Sequence, residues 1–150
     1  MFIKKSTMVT TTYTYDTDFY AWTQEQARLL RERQFDALDL MHLSEELEDL
    51  GKQEKRSLTS LLAILLGHLL KWRYQSDSPH RKSWRATINI QRRAVAKLLR
   101  DNPSLKPQVA EFVADAYPDG VDLAVAETPL DYDALPKTCP WTEYQILGDF

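Results

Sequence analysis

The stretch that decides the fold is Leu58–Leu99, LTSLLAILLGHLLKWRYQSDSPHRKSWRATINIQRRAVAKLL. Its first half is the most apolar run in the chain, with Leu58, Leu61, Leu65, Leu69 and Trp72 at helical spacing. A polar break follows, Ser76-Asp77-Ser78-Pro79, and Pro79 suits the opening of a new helix. The second half puts Trp84, Ile88, Val95, Leu98 and Leu99 on one face, and Thr87 and Gln91 share it. Arg85, Arg92, Arg93 and Arg100 lie on the other side, with Lys97 further round. Two amphipathic helices joined by a short loop read as a helical hairpin. The longest apolar block, Leu61–Leu70, includes Gly67 and His68 and is too short to span a bilayer.

Toward the N-terminus, Asp36 and Asp39 open a helix whose apolar stripe is Leu40, Leu43, Leu47 and Leu50. Asp39 and Glu46 are about 20° apart on its wheel and are flanked by Leu43 and Leu50, so they read as half-buried acids at a core edge. His42 lies beside them, whereas Glu45 and Glu48 point to solvent. The stripe stays in phase across Gly51 into Leu58. A straight helix from 37 to 74 would be about 57 Å long, too long for one globule of this size, so a break or sharp kink is predicted at Gly51. Tyr15-Asp16-Thr17-Asp18 offers N-cap chemistry for a helix over about 17–33 carrying Phe19, Trp22, Gln26, Leu29 and Leu30. Residues 1–12 are threonine-rich and lack a period, and are expected to be flexible.

Beyond the hairpin, Asn102-Pro103-Ser104 stops one helix and caps another carrying Leu105, Val109, Phe112, Val113 and Ala116. Tyr117-Pro118-Asp119-Gly120 is expected to break it, with one or two more turns from Val121 to Thr128. Three prolines then interleave with Tyr132, Trp141, Tyr144, Ile146 and Leu147, a tail expected to be ordered by packing rather than by secondary structure of its own. The expectation is an all-α, single-domain bundle of about five helices over 13–150 with this irregular tail packed on it. Its core is predicted to hold Trp22, Leu43, Leu47, Leu61, Leu65, Leu69, Trp72, Trp84, Ile88, Val95 and Phe112.

Composition agrees: 43% hydrophobic and 27% charged residues are ordinary for a globule, and four glycines disfavour a turn-rich β fold. A single cysteine, Cys139, excludes an internal disulfide framework and, with no secretory segment in view, points to the cytoplasm. The net charge of −3 is unevenly spread. Residues 1–70 carry −3, residues 71–100 carry +8 and residues 101–150 carry −8. The basic block therefore meets either the acidic tail or an anionic partner.

Chemistry is sparse. The metal-ligand supply is His42, His68 and His80 with Asp39, Glu45 and Glu46, and none forms an HExxH or Glu-x-x-His pair. Glu46 with His68 is the one weak metal candidate. Cys139 has no histidine near it in sequence, and there is no nucleophile elbow and no glycine-rich phosphate loop. Arg81, Lys82, Arg85, Arg93, Lys97 and Arg100 are candidate anion-binding residues, and Trp84 could stack a base or anchor the core. Asp39, Glu46, His68, Thr87, Gln91 and Arg92 are a candidate polar cluster, in which Arg92 is expected to pair with Asp39 or Glu46.

Several segments carry a resemblance. They are Tyr15-Asp16-x-Asp18-Phe19-x-x-Trp22, Leu29-Leu30-Arg31, Leu38-Asp39-Leu40, Glu45-Glu46-Leu47-Glu48, His68-Leu69-Leu70-Lys71-Trp72, Ser83-Trp84-x-x-Thr87-Ile88, Gln91-Arg92-Arg93, Pro103-Ser104-Leu105 and Cys139-Pro140-Trp141. Over residues 15–150 the chain resembles the family called domain of unknown function 29, found in cyanobacteria and other bacteria. The resemblance implies an all-helical fold and no established activity, and it draws attention to Lys71 and Trp84 beside the polar cluster; no cofactor is expected.

Three readings compete. The first is a small interaction or regulatory module without catalysis, binding another protein or itself, with no membrane association. The second is nucleic-acid binding through the basic helix 81–100, against which the acidic tail is expected to compete. The third is a metal-dependent enzyme with a polar site between helices.

Overall fold

In the computed structural model, residues 14–148 are described, and the expected flexible segment 1–12 lies outside them. The fold is all-α. Five α-helices are present among the described residues: α1 (Phe19–Arg31), α2 (Leu40–Tyr74), α3 (Arg81–Asp101), α4 (Val109–Glu127) and α5 (Glu143–Leu147). Contacts group the chain into two compact units divided between Leu50 and Gly51.

In the first unit, α1 starts where the Asp18 carboxylate accepts the Ala21 N–H at 2.9 Å. It ends in a Schellman motif: the Gln34 N–H donates to the Leu29 carbonyl and the Arg33 N–H to that of Leu30. This closure puts Arg33 at φ 57°, a left-handed position that glycine would fill without strain. Trp22, Gln26 and Leu29 are its buried face. Asp39 then caps α2, accepting the His42 N–H at 3.3 Å, while Gln26 accepts the Asp39 N–H at 2.8 Å. The expected leucine stripe is not core here. Leu43 is half-buried, and Leu40, Leu47 and Leu50 are 67%, 68% and 60% exposed.

The helix α2 runs unbroken through Gly51, which corrects the predicted break. Gly51 keeps a negative φ and is exposed, and a Cβ built on it meets nothing within 4 Å. A glycine in a helix interior costs only about 1 kcal/mol relative to alanine, which is too little to end it.

The second unit has its core on α2. Leu58, Leu62, Leu65, Leu66, Leu69 and Leu70 are all at most 1% exposed. This face is broader than the expected stripe and rotated from it, so Leu61 and Trp72 are only partly buried. Trp84, Ile88, Val95 and Leu99 of α3 and Val109, Phe112, Val113, Ala116, Tyr117 and Ala124 of α4 are buried as well. Helices α2 and α4 approach each other closely at Gly67 and Gly120. A Cβ on Gly67 would lie 3.0 Å from the Gly120 carbonyl oxygen, and one on Gly120 would lie 3.0 Å from the Gly67 nitrogen. The predicted break at 117–120 is therefore corrected: α4 passes through Pro118, and Gly120 serves backbone approach rather than a turn.

The tail corrects one more expectation. Thr142 and Gln145 form a capping box that starts α5, an S/T-x-x-Q signature legible in sequence. Leu135 and Ile146 are buried and Trp141 and Leu147 pack partly buried against the core, while Tyr132 and Tyr144 are 55% and 83% exposed. The buried Tyr117 hydroxyl ties the tail down by donating to the Pro136 carbonyl at 2.6 Å.

Candidate functional site

The polar residues singled out from sequence fall into three groups. In the first unit, Asp39 and Glu46 are engaged by aromatic neighbours. The Trp22 indole N–H donates to Asp39 Oδ2 at 3.0 Å, and His42 Nδ1 donates to the same oxygen at 2.7 Å. The Tyr15 hydroxyl donates to Glu46 Oε1, and its ring stacks on the His42 imidazole with centroids 4.1 Å apart. The hydrogen bond from His42 holds the Asp39 carboxyl below the usual carboxylate range, and in return Asp39 raises His42. The bond to Glu46 pushes the Tyr15 phenol up to about 12. Tyr15 and Trp22, one on each acid, went unnoticed as partners because both read as cap or core residues in the sequence.

In the second unit, the Lys71 side chain is 1% exposed, and its ammonium donates to Glu127 Oε2. It also donates to His68 Nε2 at 3.2 Å and sits 5.1 Å from the centre of the Trp84 ring. His68 Nδ1 bonds the Ile64 carbonyl at 2.8 Å. A carbonyl only accepts, so Nδ1 carries the proton and Nε2 is free to accept from Lys71. Burial, reinforced by the Lys71 charge, lowers the His68 pKa. A cavity of about 410 Å³ opens beside Trp84 and Glu127, bounded by the 75–80 turn and by Thr128 and Pro129. Glu127 lies 56 residues from Lys71, and no local pattern announces the pair.

Arg92 Nε donates to the Ile146 carbonyl at 2.9 Å and its Nη2 to that of Gln145 at 3.0 Å, so it holds α5. Thr87 donates to the Ser83 carbonyl at 3.1 Å, and Gln91 Oε1 is buried without a partner. Among the described residues no three His, Cys, Asp or Glu side chains gather as a metal site. Glu46 belongs to the first unit and His68 to the second.

The basic candidates divide as well. Arg81 packs its guanidinium 3.7 Å from the Trp72 ring centre and donates to the Trp72 carbonyl at 2.6 Å, locking the turn between α2 and α3. Lys97 pairs with Asp101 at 2.7 Å. Lys82, Arg85, Arg93 and Arg100 are exposed and make no ion pair or side-chain hydrogen bond with any described residue. Trp84 is 7% exposed, with Lys71 against its ring, so it is a core anchor and not a base-stacking platform. Cys139 is half-buried, its Sγ 3.6 Å from the Trp141 carbonyl oxygen, and burial raises its thiol pKa. No helix among the described residues is long and apolar enough to cross a membrane.

The described residues thus include two polar networks, an exposed apolar stripe on α2 and an exposed basic face on α3. Comparison with curated proteins and with solved structures gave no match. The family described as domain of unknown function DUF29 matches residues 14–150, the whole described region, and the chain belongs to that family.

Proposed function

We propose that the protein is a non-catalytic interaction module that receives a basic amphipathic helix of another protein on the first turns of α2. The observation that supports this reading is the stripe Leu40, Leu43, Leu47 and Leu50, three of whose leucines are at least 60% exposed. Their 3-4-3 spacing is that of a coiled-coil seam. On one flank of the seam stand Asp39 and Glu46, on the other Ser44 and Gly51, small residues that admit a close neighbour. Residues 35–51 carry six acids and neither lysine nor arginine, so a second copy brings like charge and a basic helix brings opposite charge. Each leucine taken from water would contribute about 1.5–3 kcal/mol before the costs of association.

The test uses two synthetic helices with leucine at seam positions, one rimmed with lysine and one with glutamate, titrated by fluorescence anisotropy. The lysine-rimmed helix is expected to bind and the glutamate-rimmed one to fail. The exposed-site double variant Leu47→Glu, Leu50→Glu should keep its helicity and lose binding. Equal binding by wild type and variant, or none to either helix, refutes the proposal. A wild-type dimer in sedimentation that the same variant dissociates replaces the basic partner by a second copy.

A further inference from the structure

One large feature has no role so far: the outward face of α3. Between Ser78 and Arg100 the chain has no aspartate or glutamate. At about 100° per residue, Lys82, Arg93 and Arg100 fall within about 20° of one line along the helix, with Arg85 about 60° to one side. Asn89 lies on the same line, and all five residues are exposed. From Lys82 to Arg100 the line is about 27 Å long, or about eight base pairs of duplex at about 3.4 Å each. Lys82, Arg85 and Arg93 make no ion pair with any described residue, and Arg100 has the Asp101 carboxylate, already paired with Lys97, as its neighbour.

We infer that this face binds the phosphate backbone of double-stranded DNA without reading sequence. The chemistry of the face separates this from the alternatives. A protein interface needs buried apolar or aromatic anchors at its centre, and on α3 those residues, Trp84, Ile88, Val95 and Leu99, are committed to the core. A membrane surface would need an apolar helix face turned outward, and Ile90 at 53% exposure is the one large apolar side chain α3 exposes. Single strands are held on aromatic platforms, and α3 presents none, since Trp84 is buried. What remains is a row of guanidinium and ammonium groups on a rigid helix, with one amide among them. Such a row neutralises phosphates and carries no base readout.

The test is fluorescence anisotropy of a labelled 20-base-pair duplex with the full chain at two salt concentrations. Four phosphate contacts give a slope of log affinity on log salt near −3.6, so binding should weaken about 150-fold between 50 and 200 mM salt. The double variant Arg93→Glu, Arg100→Glu should abolish binding. Lys55→Glu, Arg56→Glu makes the same charge change on exposed residues of α2 and should leave binding within about twofold of wild type. Circular dichroism confirms that both variants fold. No binding at 50 mM salt overturns the inference, as does equal weakening by the two variants, which would mean net charge alone. A single strand bound as tightly as the duplex, or polyglutamate bound as tightly, would also overturn it.

Discussion

The pair Lys71–Glu127 is lopsided, and its two ends should respond differently to mutation. The lysine side chain is 1% exposed and the glutamate side chain 52%. Glu127→Ala leaves a buried ammonium without its carboxylate. Removing one partner of a buried pair costs about 3–5 kcal/mol. Lys71 keeps the lone pair of His68 Nε2 and the Trp84 ring, so the lower end, about 3 kcal/mol, is expected. Lys71→Met retains the apolar stem and removes the charge. The carboxylate of Glu127 is half in water already and rehydrates, so this change should cost less than about 1 kcal/mol. The double variant Lys71→Met, Glu127→Gln should resemble Lys71→Met alone. Urea unfolding followed by circular dichroism reads all three. With a slope near 2 kcal/mol per molar, Glu127→Ala should lower the midpoint by about 1.5 M. A Lys71→Met variant less stable than Glu127→Ala, or a Glu127→Ala variant within about 0.5 kcal/mol of wild type, would show that the ammonium is not sealed and refute the reasoning.

Gly120→Ala should destabilise the second unit by about 1–3 kcal/mol, because its Cβ would stand 3.0 Å from the Gly67 nitrogen and 3.1 Å from the Ala63 carbonyl oxygen; thermal unfolding checks this against Gly51→Ala, which should be neutral or stabilising. Arg33→Gly should stabilise by about 1 kcal/mol, by relieving the left-handed position at φ 57°, measured by the same denaturation. The two histidines should tilt stability in opposite directions with pH. His68 has a lowered pKa in the fold, so its contribution is intact above its unfolded value near 6.5 and is lost as pH falls below that; His68→Asn should flatten the loss between pH 7 and 5. His42 has a raised pKa, so its contribution is present below about 6.5 and is lost as pH rises through the folded value; in His42→Asn, stability should decline more steeply on acidification than in wild type.

The helices of the second unit were legible because their apolar residues recur at 3.6-residue spacing over long runs, from Leu58 to Leu70 and from Trp84 to Leu99. The same periodicity misled at Leu47. Spacing reports that a stripe is apolar, not that another surface covers it, and α1 spends its buried face on Trp22, Gln26 and Leu29. Punctuation residues misled in another way. Gly51, Pro118 and Gly120 each favour a break locally, yet tertiary packing and helix cooperativity carry α2 and α4 through them. His68, Lys71 and Trp84 were visible as unusual residues on helix faces, but Glu127 could be joined to them only by the fold. Arg92, placed by spacing on the charged side of its helix, is buried, and its acceptors lie in the backbone of the five-residue α5, which no apolar period announces.

That last contact has a consequence for the order of events in folding. Helix α5 is far too short to persist in isolation, and its docking closes a stretch of 54 residues between Arg92 and Ile146. Closure of such a length is an entropic cost that the site must already be formed to offset. Docking of α5 therefore belongs late in folding and its release early in unfolding. Under native conditions the amides of Ile146 and Leu147 should exchange with solvent through a local opening, while those of Leu62–Leu70 wait for the second unit to unfold.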